Sequence, residues 1–256
     1  MKAPLHIVLS FLLLFPPAAL AQVTAIKAGR LLDPEPGAVS KNQVILVERD
    51  KITAVAPGLE VPKGANVIDL SGSTVMPGLF DSHTHLCALL SIPRDGGDFL
   101  LLSLLDRTGY RAIQGVVHAK EMLDSGFTTV RDVGNAGDYA DVDLRRAIDE
   151  GLVPGPTIIA AGRIIAPFGG QFGLRVRRSA LDDPEYLEAG VPAKSILRAL
   201  TVNSARLLGV EKRRGAIKPG LAADIIGLPE NPLDNIQALK QVHFVMKNDK
   251  VFKRRM

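Results

Sequence analysis

The hydrophobic pattern divides the chain into three regimes. From residue 23 onward, short β-branched runs at 23–32, 44–47, 52–55 and 67–70 are punctuated by Pro and Gly, with the turn Glu48-Arg49-Asp50-Lys51 between the second and third. Such runs, bounded by turn residues, predict strands. The C-terminal segment repeats the pattern: 224–228 follows a Lys218-Pro219-Gly220 turn, and 242–246 and 250–252 flank Asn248-Asp249, a pair suited to a tight primed turn. Neither end has enough strands to bury a sheet face alone. Together they predict one sheet or a small β-sandwich, with the middle of the chain inserted between its halves.

The middle alternates between periods of two and 3.6. An apolar strand at 74–80 runs into Asp81-Ser82-His83-Thr84-His85, and an apolar helical stretch follows at 99–105. Residues 111–125 carry Ile113, Val116, Val117, Met122 and Leu123 near helical spacing, and Gly126 stops them. A strand at 127–133 ends at Gly134, a helix at 141–150 presents Leu144, Ala147 and Ile148 on one face, and a third strand occupies 157–161. Strands alternating with helices predict an α/β architecture with a parallel sheet. Residues 167–192 hold no convincing buried strand. One long amphipathic helix then runs through Ile196, Leu197, Leu200, Leu207 and Leu208 to Gly209.

The N-terminus reads differently. Lys2, an apolar run over 5–15, Pro16-Pro17 and Ala19-Leu20-Ala21 have the layout of a secretory signal peptide. Cleavage is expected between Ala21 and Gln22, and the run is too short for a bilayer, which needs ~20 apolar residues. The expected mature chain is therefore periplasmic or extracellular and carries no membrane span.

Composition adds exclusions. With 46% hydrophobic and 23% charged residues the chain is globular rather than disordered. The single cysteine, Cys87, excludes an intramolecular disulfide framework and a Cys-based zinc knuckle. The net charge is +4, and the basic residues gather at Arg175, Arg177 and Arg178, at 212–214 and at 253–255. No aromatics interleave with them as a base-stacking platform requires. They read as solvated faces, and no nucleic-acid partner is expected.

The candidate chemistry lies in His83 and His85. Side chains at i and i+2 of a regular strand share a face, so both imidazoles are expected to point to one place at the carboxyl end of a parallel sheet, where α/β active sites sit. Imidazole suits zinc, iron or nickel.

Three segments carry a family resemblance. Val75-Met76-Pro77-Gly78-Leu79-Phe80-Asp81-Ser82-His83-Thr84-His85-Leu86 resembles the first-strand signature of the amidohydrolase superfamily, and Gly126-Phe127-Thr128-Thr129-Val130-Arg131-Asp132-Val133-Gly134 is similar to its second-strand segment. Residues 201–209 and 215–224 resemble its closing helix and return strand. The imidazolonepropionase-like and prolidase-like branch is the nearest in flavour, and the likeness covers most of 22–174 and 186–256. It implies a (β/α)8 TIM-type barrel with a small β-sandwich built from both chain ends. It also implies a divalent metal, zinc first, on His83 and His85, and a small amide, cyclic amide or Xaa-Pro dipeptide as substrate. In the family, further ligands come from a lysine on strand four, histidines on strands five and six and an aspartate on strand eight.

Length limits that expectation. With 1–21 as signal peptide, 22–70 and 211–256 as the two parts of the sandwich and 71–210 as the barrel, about 140 residues remain for a (β/α)8 barrel, which takes ~200 at least. The expected barrel is incomplete: three βα units pass at Gly169-Gly170-Gln171-Phe172-Gly173-Leu174 straight to the approach of the last unit. Strands four to eight and their ligands are missing, so hydrolysis is expected to be impaired, with a non-catalytic remnant or a binding or assembly module as the alternative. The other donors have plainer readings. His118 reads as an exposed helical residue and His243 as part of the C-terminal hairpin. Cys87 reads as a small apolar residue in a turn, and Asp132 as a site carboxylate or a structural hydrogen-bonding group. The 169–173 loop either flanks a substrate or is a plain turn. A third strand with an open apolar edge promotes self-association, so homo-oligomers are an expected form.

Overall fold

A computed structural model of the chain describes residues 23–98, 101–102, 105–134, 139–162 and 192–254. The expected signal peptide, part of the 99–105 stretch, the 169–174 loop and the Arg175–Arg178 cluster lie outside the described residues. Among those described, no helix is long and apolar enough to cross a membrane.

The two chain ends meet in one seven-stranded sheet. β1 (Val23–Asp33) pairs antiparallel with β2 (Ala38–Glu48), and β2 with β3 (Lys51–Pro57). β4 (Asn66–Pro77) lies parallel to the other side of β1. From the C-terminal end, β8 (Ile225–Leu228) joins β4, followed by β9 (Phe244–Lys247) and β10 (Lys250–Arg254). The period-two pattern decides which side chains go inside. Ile26 stands opposite Ile45 and Ile68, and all three pack with Ile225, Phe244 and Met246 in one buried cluster. Ile226 and Val245, one residue out of phase, face a second cluster with Leu32 and Met76.

The Ser71-Gly72-Ser73 segment separates two strands in the sequence reading. It is instead a bulge within β4: Ala28 pairs with Leu70, and the next pairing is Arg30 with Thr74. Gly29 makes this possible, because a Cβ there would lie 1.8 Å from the Ser71 carbonyl oxygen. Beyond the bulge the strand faces exchange, so Leu31 packs on the first cluster and Leu32 on the second.

The second layer is a three-stranded parallel sheet of β5 (Leu79–Thr84), β6 (Phe127–Asp132) and β7 (Thr157–Ala160), in that order. The helices Thr108–Asp124 and Ala140–Asp149 link them. Val130 and Ile158 pack there with Ala119, Leu144 and Ile148. The chain crosses from one sheet to the other at Gly78, where a Cβ would lie 2.2 Å from Thr128 Oγ1. The long C-terminal helix is not uninterrupted as the pattern predicts. Ala193–Arg198 passes through a π-helical turn, Ala199–Asn203, into Ser204–Leu207. Hydroxyls compete for its carbonyls: Thr201 Oγ1 donates to Leu197 and Ser204 Oγ to Ala199, both at 2.6 Å. This helix packs Ala205 against Phe80 of β5, and Ile159 of β7 leans on the same cluster.

The layers are fastened at the amino ends of β5–β7. Gly78 N–H donates to the Asp224 carbonyl at 3.0 Å. Arg214 Nη1 donates to Asp224 Oδ2 at 2.7 Å and to Thr157 Oγ1 at 2.8 Å. Lys247 Nζ donates to the Gly155 carbonyl at 2.9 Å.

Candidate functional site

β5 delivers both histidines to its carboxyl end, but not by a regular pleat. Asp81 pairs with Val130 and the next pairing is Thr84 with Asp132, so β5 carries one extra residue where His83 sits. The Asp81 carboxylate accepts the His83 N–H at 2.9 Å and so draws it out of the ladder, a bulge of the kind found next to functional sites. His85 lies just past the strand end. The rings nevertheless meet edge to face, with centroids 5.4 Å apart and planes at 77°. His83 is exposed and His85 half-buried.

The loop after β6 orients His85. Its Nδ1 donates to the Gly134 carbonyl at 2.6 Å, since a carbonyl can only accept. Gly134 is held in turn by Asp132, which is fully buried and accepts the Gly134 N–H at 3.0 Å and the Leu86 N–H at 2.8 Å. Burial pushes the Asp132 carboxyl up to about 6 against the pull of those two N–H groups. Asp132 is thus the structural hydrogen-bonding group of the two readings, one step removed from His85.

His118 is not the exposed helical residue expected. It is half-buried, its Nδ1 donates to the Leu86 carbonyl at 2.9 Å, and it shares with His85, Leu86, Leu89, Glu121 and Met122 the wall of a cavity of ≈ 270 Å³. Helical spacing could have hinted at this: Gly115 and Ala119 are small and buried, and they let the helix approach the turn after His85 so closely that a Cβ on Gly115 would lie 2.6 Å from Cys87 Sγ. Cys87 itself is buried in that turn, and its thiol is pushed up to about 12, chiefly by burial. It packs as an apolar residue and is no thiolate donor at neutral pH. His243 is remote, with Nε2 3.0 Å from Ser73 Oγ in the seven-stranded sheet.

The donor set can be tested against the metal that the resemblance implies. A catalytic zinc takes three protein ligands and a water. His83 and His85 supply two imidazoles. Among the described residues no group of three or more His, Cys, Asp or Glu converges where it could hold a metal ion. The described residues therefore do not fit a catalytic metal centre.

Comparison with known proteins places this geometry. The model of the Amidohydrolase family matches residues 74–171 and 169–252, two stretches that meet at 169–171. A dihydroorotase of Geobacter sulfurreducens is 46% identical over 61 residues, covering 24% of this chain and 14% of that protein. An imidazolonepropionase of Fusobacterium nucleatum is 32% identical over 134 residues, covering 42% of this chain and 32% of the relative. The matched parts are thus about a third or less of these relatives' lengths. Among solved structures, a Xaa-Pro dipeptidase with bound methionine superposes with a TM-score of 0.77 at 18% identity, over 91% of this chain and 100% of that one. Phenylurea hydrolase B gives 0.75 at 15%, over 91% and 97%. Identities this low speak for the fold, which is the α/β fold of amidohydrolase TIM-barrel proteins. The family model, in contrast, spans most of the chain and includes β5 with His83 and the His85 that follows it, and on that match the chain belongs to the amidohydrolase family.

Proposed function

We propose that the chain descends from a metal-dependent hydrolase of C–N bonds in small amides, cyclic amides or Xaa-Pro dipeptides, and that its own hydrolytic turnover is impaired. The observation that carries this reading is the histidine pair at the carboxyl end of β5 without a third converging donor among the described residues. The substrate class follows the resemblance. The names of the relatives, a dihydroorotase, an imidazolonepropionase and a Xaa-Pro dipeptidase, support it. Two family matches that meet at 169–171 favour loss of barrel strands four to eight, and with them the later metal ligands. The same loss favours the runner-up, a non-catalytic remnant kept as a binding module. Export with cleavage after Ala21 is part of the proposal, and N-terminal sequencing of secreted material should begin at or near Gln22.

The test is to express residues 22–256 with zinc or manganese and assay a panel of amides and Xaa-Pro dipeptides. The expected result is no turnover that differs between the wild type and His83→Ala. Turnover that His83→Ala abolishes would show a complete centre and overturn the impairment.

A further inference from the structure

The charged group that neither the hydrolytic reading nor the sequence analysis uses is Lys247. It sits on β9 with 7% of its surface exposed, at the end of the molecule opposite the histidine pair. Its amine reaches between the sheets to the Gly155 carbonyl. Beside it lies a cavity of ≈ 270 Å³ whose walls are Ile148, Leu152, Val153, Pro154 and Phe252, with Lys250 at the edge. A buried lysine normally has a carboxylate to itself. Here the buried carboxylate that acts on it most strongly, Asp224, is already held by Arg214 Nη1 at 2.7 Å and by the Asn248 N–H at 3.2 Å. Four charges act on the amine: Asp224 and Asp149 favour its protonated form, while Arg214 and Lys250 oppose it. Desolvation beside cationic neighbours is the arrangement that turns a lysine into a nucleophile.

We propose that Lys247 is the nucleophilic amine of a small carbonyl-binding site and forms an imine with a short aliphatic aldehyde. The cavity is below the ~300 Å³ at which pockets for drug-sized ligands begin. Its walls combine the apolar side chains with the polar groups of Asn248, Lys247 and Lys250, so a carbonyl group on a chain of a few carbons fits it. In the reaction the deprotonated amine adds its lone pair to the carbonyl carbon. A C–N bond forms, and the carbonyl oxygen leaves as water with the two amine hydrogens. No oxidant or reductant takes part. Burial, aided by Arg214 and Lys250, lowers the Lys247 amine to about 8. At pH 7 its uncharged fraction is then about 300-fold that of an ordinary lysine.

The experiment uses the mature chain, dilute propionaldehyde and cyanoborohydride to trap the imine, read by peptide mapping. Access through the cavity will take back part of the 300-fold advantage, so the expected result at pH 7 is propylation of Lys247 about tenfold faster than of the exposed Lys120 and Lys250. The rate should reach half its maximum near pH 8. Labelling of Lys247 no faster than of Lys120 overturns the proposal. Leu152→Trp, at an exposed position on the cavity wall, should slow labelling of Lys247 severalfold and leave Lys120 unchanged. Undiminished labelling of Lys247 in that variant would mean that the amine reacts through local opening rather than in the cavity, and the site would be withdrawn.

Discussion

At the amino end of β5–β7, Asp224 is 2% exposed and meets Arg214 at 2.7 Å, and the same guanidinium reaches Thr157 on β7. At the carboxyl end, His83 is exposed and the His85 Nδ1 donates to a backbone carbonyl of the loop after β6. The amino end buries matched charge between two sheets. The carboxyl end props its polar groups on loop backbone. In barrels of this type the amino end serves stability and the carboxyl end catalysis. The difference teaches that fastening and chemistry are separable in this fold. Return strands β8 and β9 come from the C-terminal segment and close the amino end whatever happens in the middle of the chain. The carboxyl end of such a barrel draws its donors from the ends of several strands, and among the described residues three strands border it.

The sharpest way to break the comparison is at its strong end. Arg214→Met leaves the Asp224 carboxylate buried without its cation, so it should lower stability by about 3–5 kcal/mol in urea unfolding. The double variant Arg214→Met/Asp224→Leu should recover most of that loss, because an apolar pair of similar volume avoids the desolvation cost of the ions. A loss below about 1 kcal/mol for the single variant would place the fastening elsewhere.

The next test lies at the carboxyl end and runs through pH. Asp132 titrates at about 6 in the fold, raised by burial, against an ordinary value of 3.8. The folded chain therefore holds a proton that the unfolded chain has released between about pH 4 and 6. The contribution of Asp132 is full below pH 4 and is lost as pH rises through 6. It should amount to about 3 kcal/mol at most. Asp132→Asn cannot ionise, so the difference in stability between wild type and variant should change by that amount between pH 7 and pH 4. A pH-independent difference would mean that Asp132 keeps its charge at no cost and that the loop is not organised around it.

Local chemistry was readable in the sequence, whereas close approach between distant segments was not. Asn248 and Asp249 both adopt positive φ, 48° and 64°, as the primed turn requires, because that turn depends on two adjacent residues. The union of the ends followed from incomplete sheet faces, and Ile45 and Ile225 share one cluster. The Ser71–Ser73 bulge is not legible in the sequence, because Ser-Gly-Ser has the composition of any turn and the feature that permits the bulge, Gly29 beneath it, lies in another strand. The π-helical turn rests on which carbonyls two hydroxyls choose. For the site, the spacing of His83 and His85 foretold their proximity, but the bulge that sets their edge-to-face contact comes from the Asp81 side chain. The burial of His118 is a consequence of helix approach at Gly115, which periodicity alone does not report.

The smallest expected effects belong to the histidines, and their smallness sharpens the contrast. His83 is exposed, so His83→Ala should stay within about 0.5 kcal/mol of the wild type. His85→Ala loses the hydrogen bond to the Gly134 carbonyl, a loss of about 1 kcal/mol. Zinc extends the argument. An ion that binds only the folded chain raises stability in proportion to the logarithm of its concentration over Kd, reaching about 2.7 kcal/mol at a hundredfold excess over Kd. Two imidazoles fill half of a tetrahedral shell, so Kd should be high. At micromolar zinc the wild type should gain less than about 0.5 kcal/mol, and dialysed protein should retain well under one ion per chain. A full ion per chain, lost in His83→Ala, would require a third donor to reach the pair, from a second copy of the chain or from residues beyond those described. The carboxyl end would then hold its groups as firmly as the amino end does, and the two ends would no longer differ in kind.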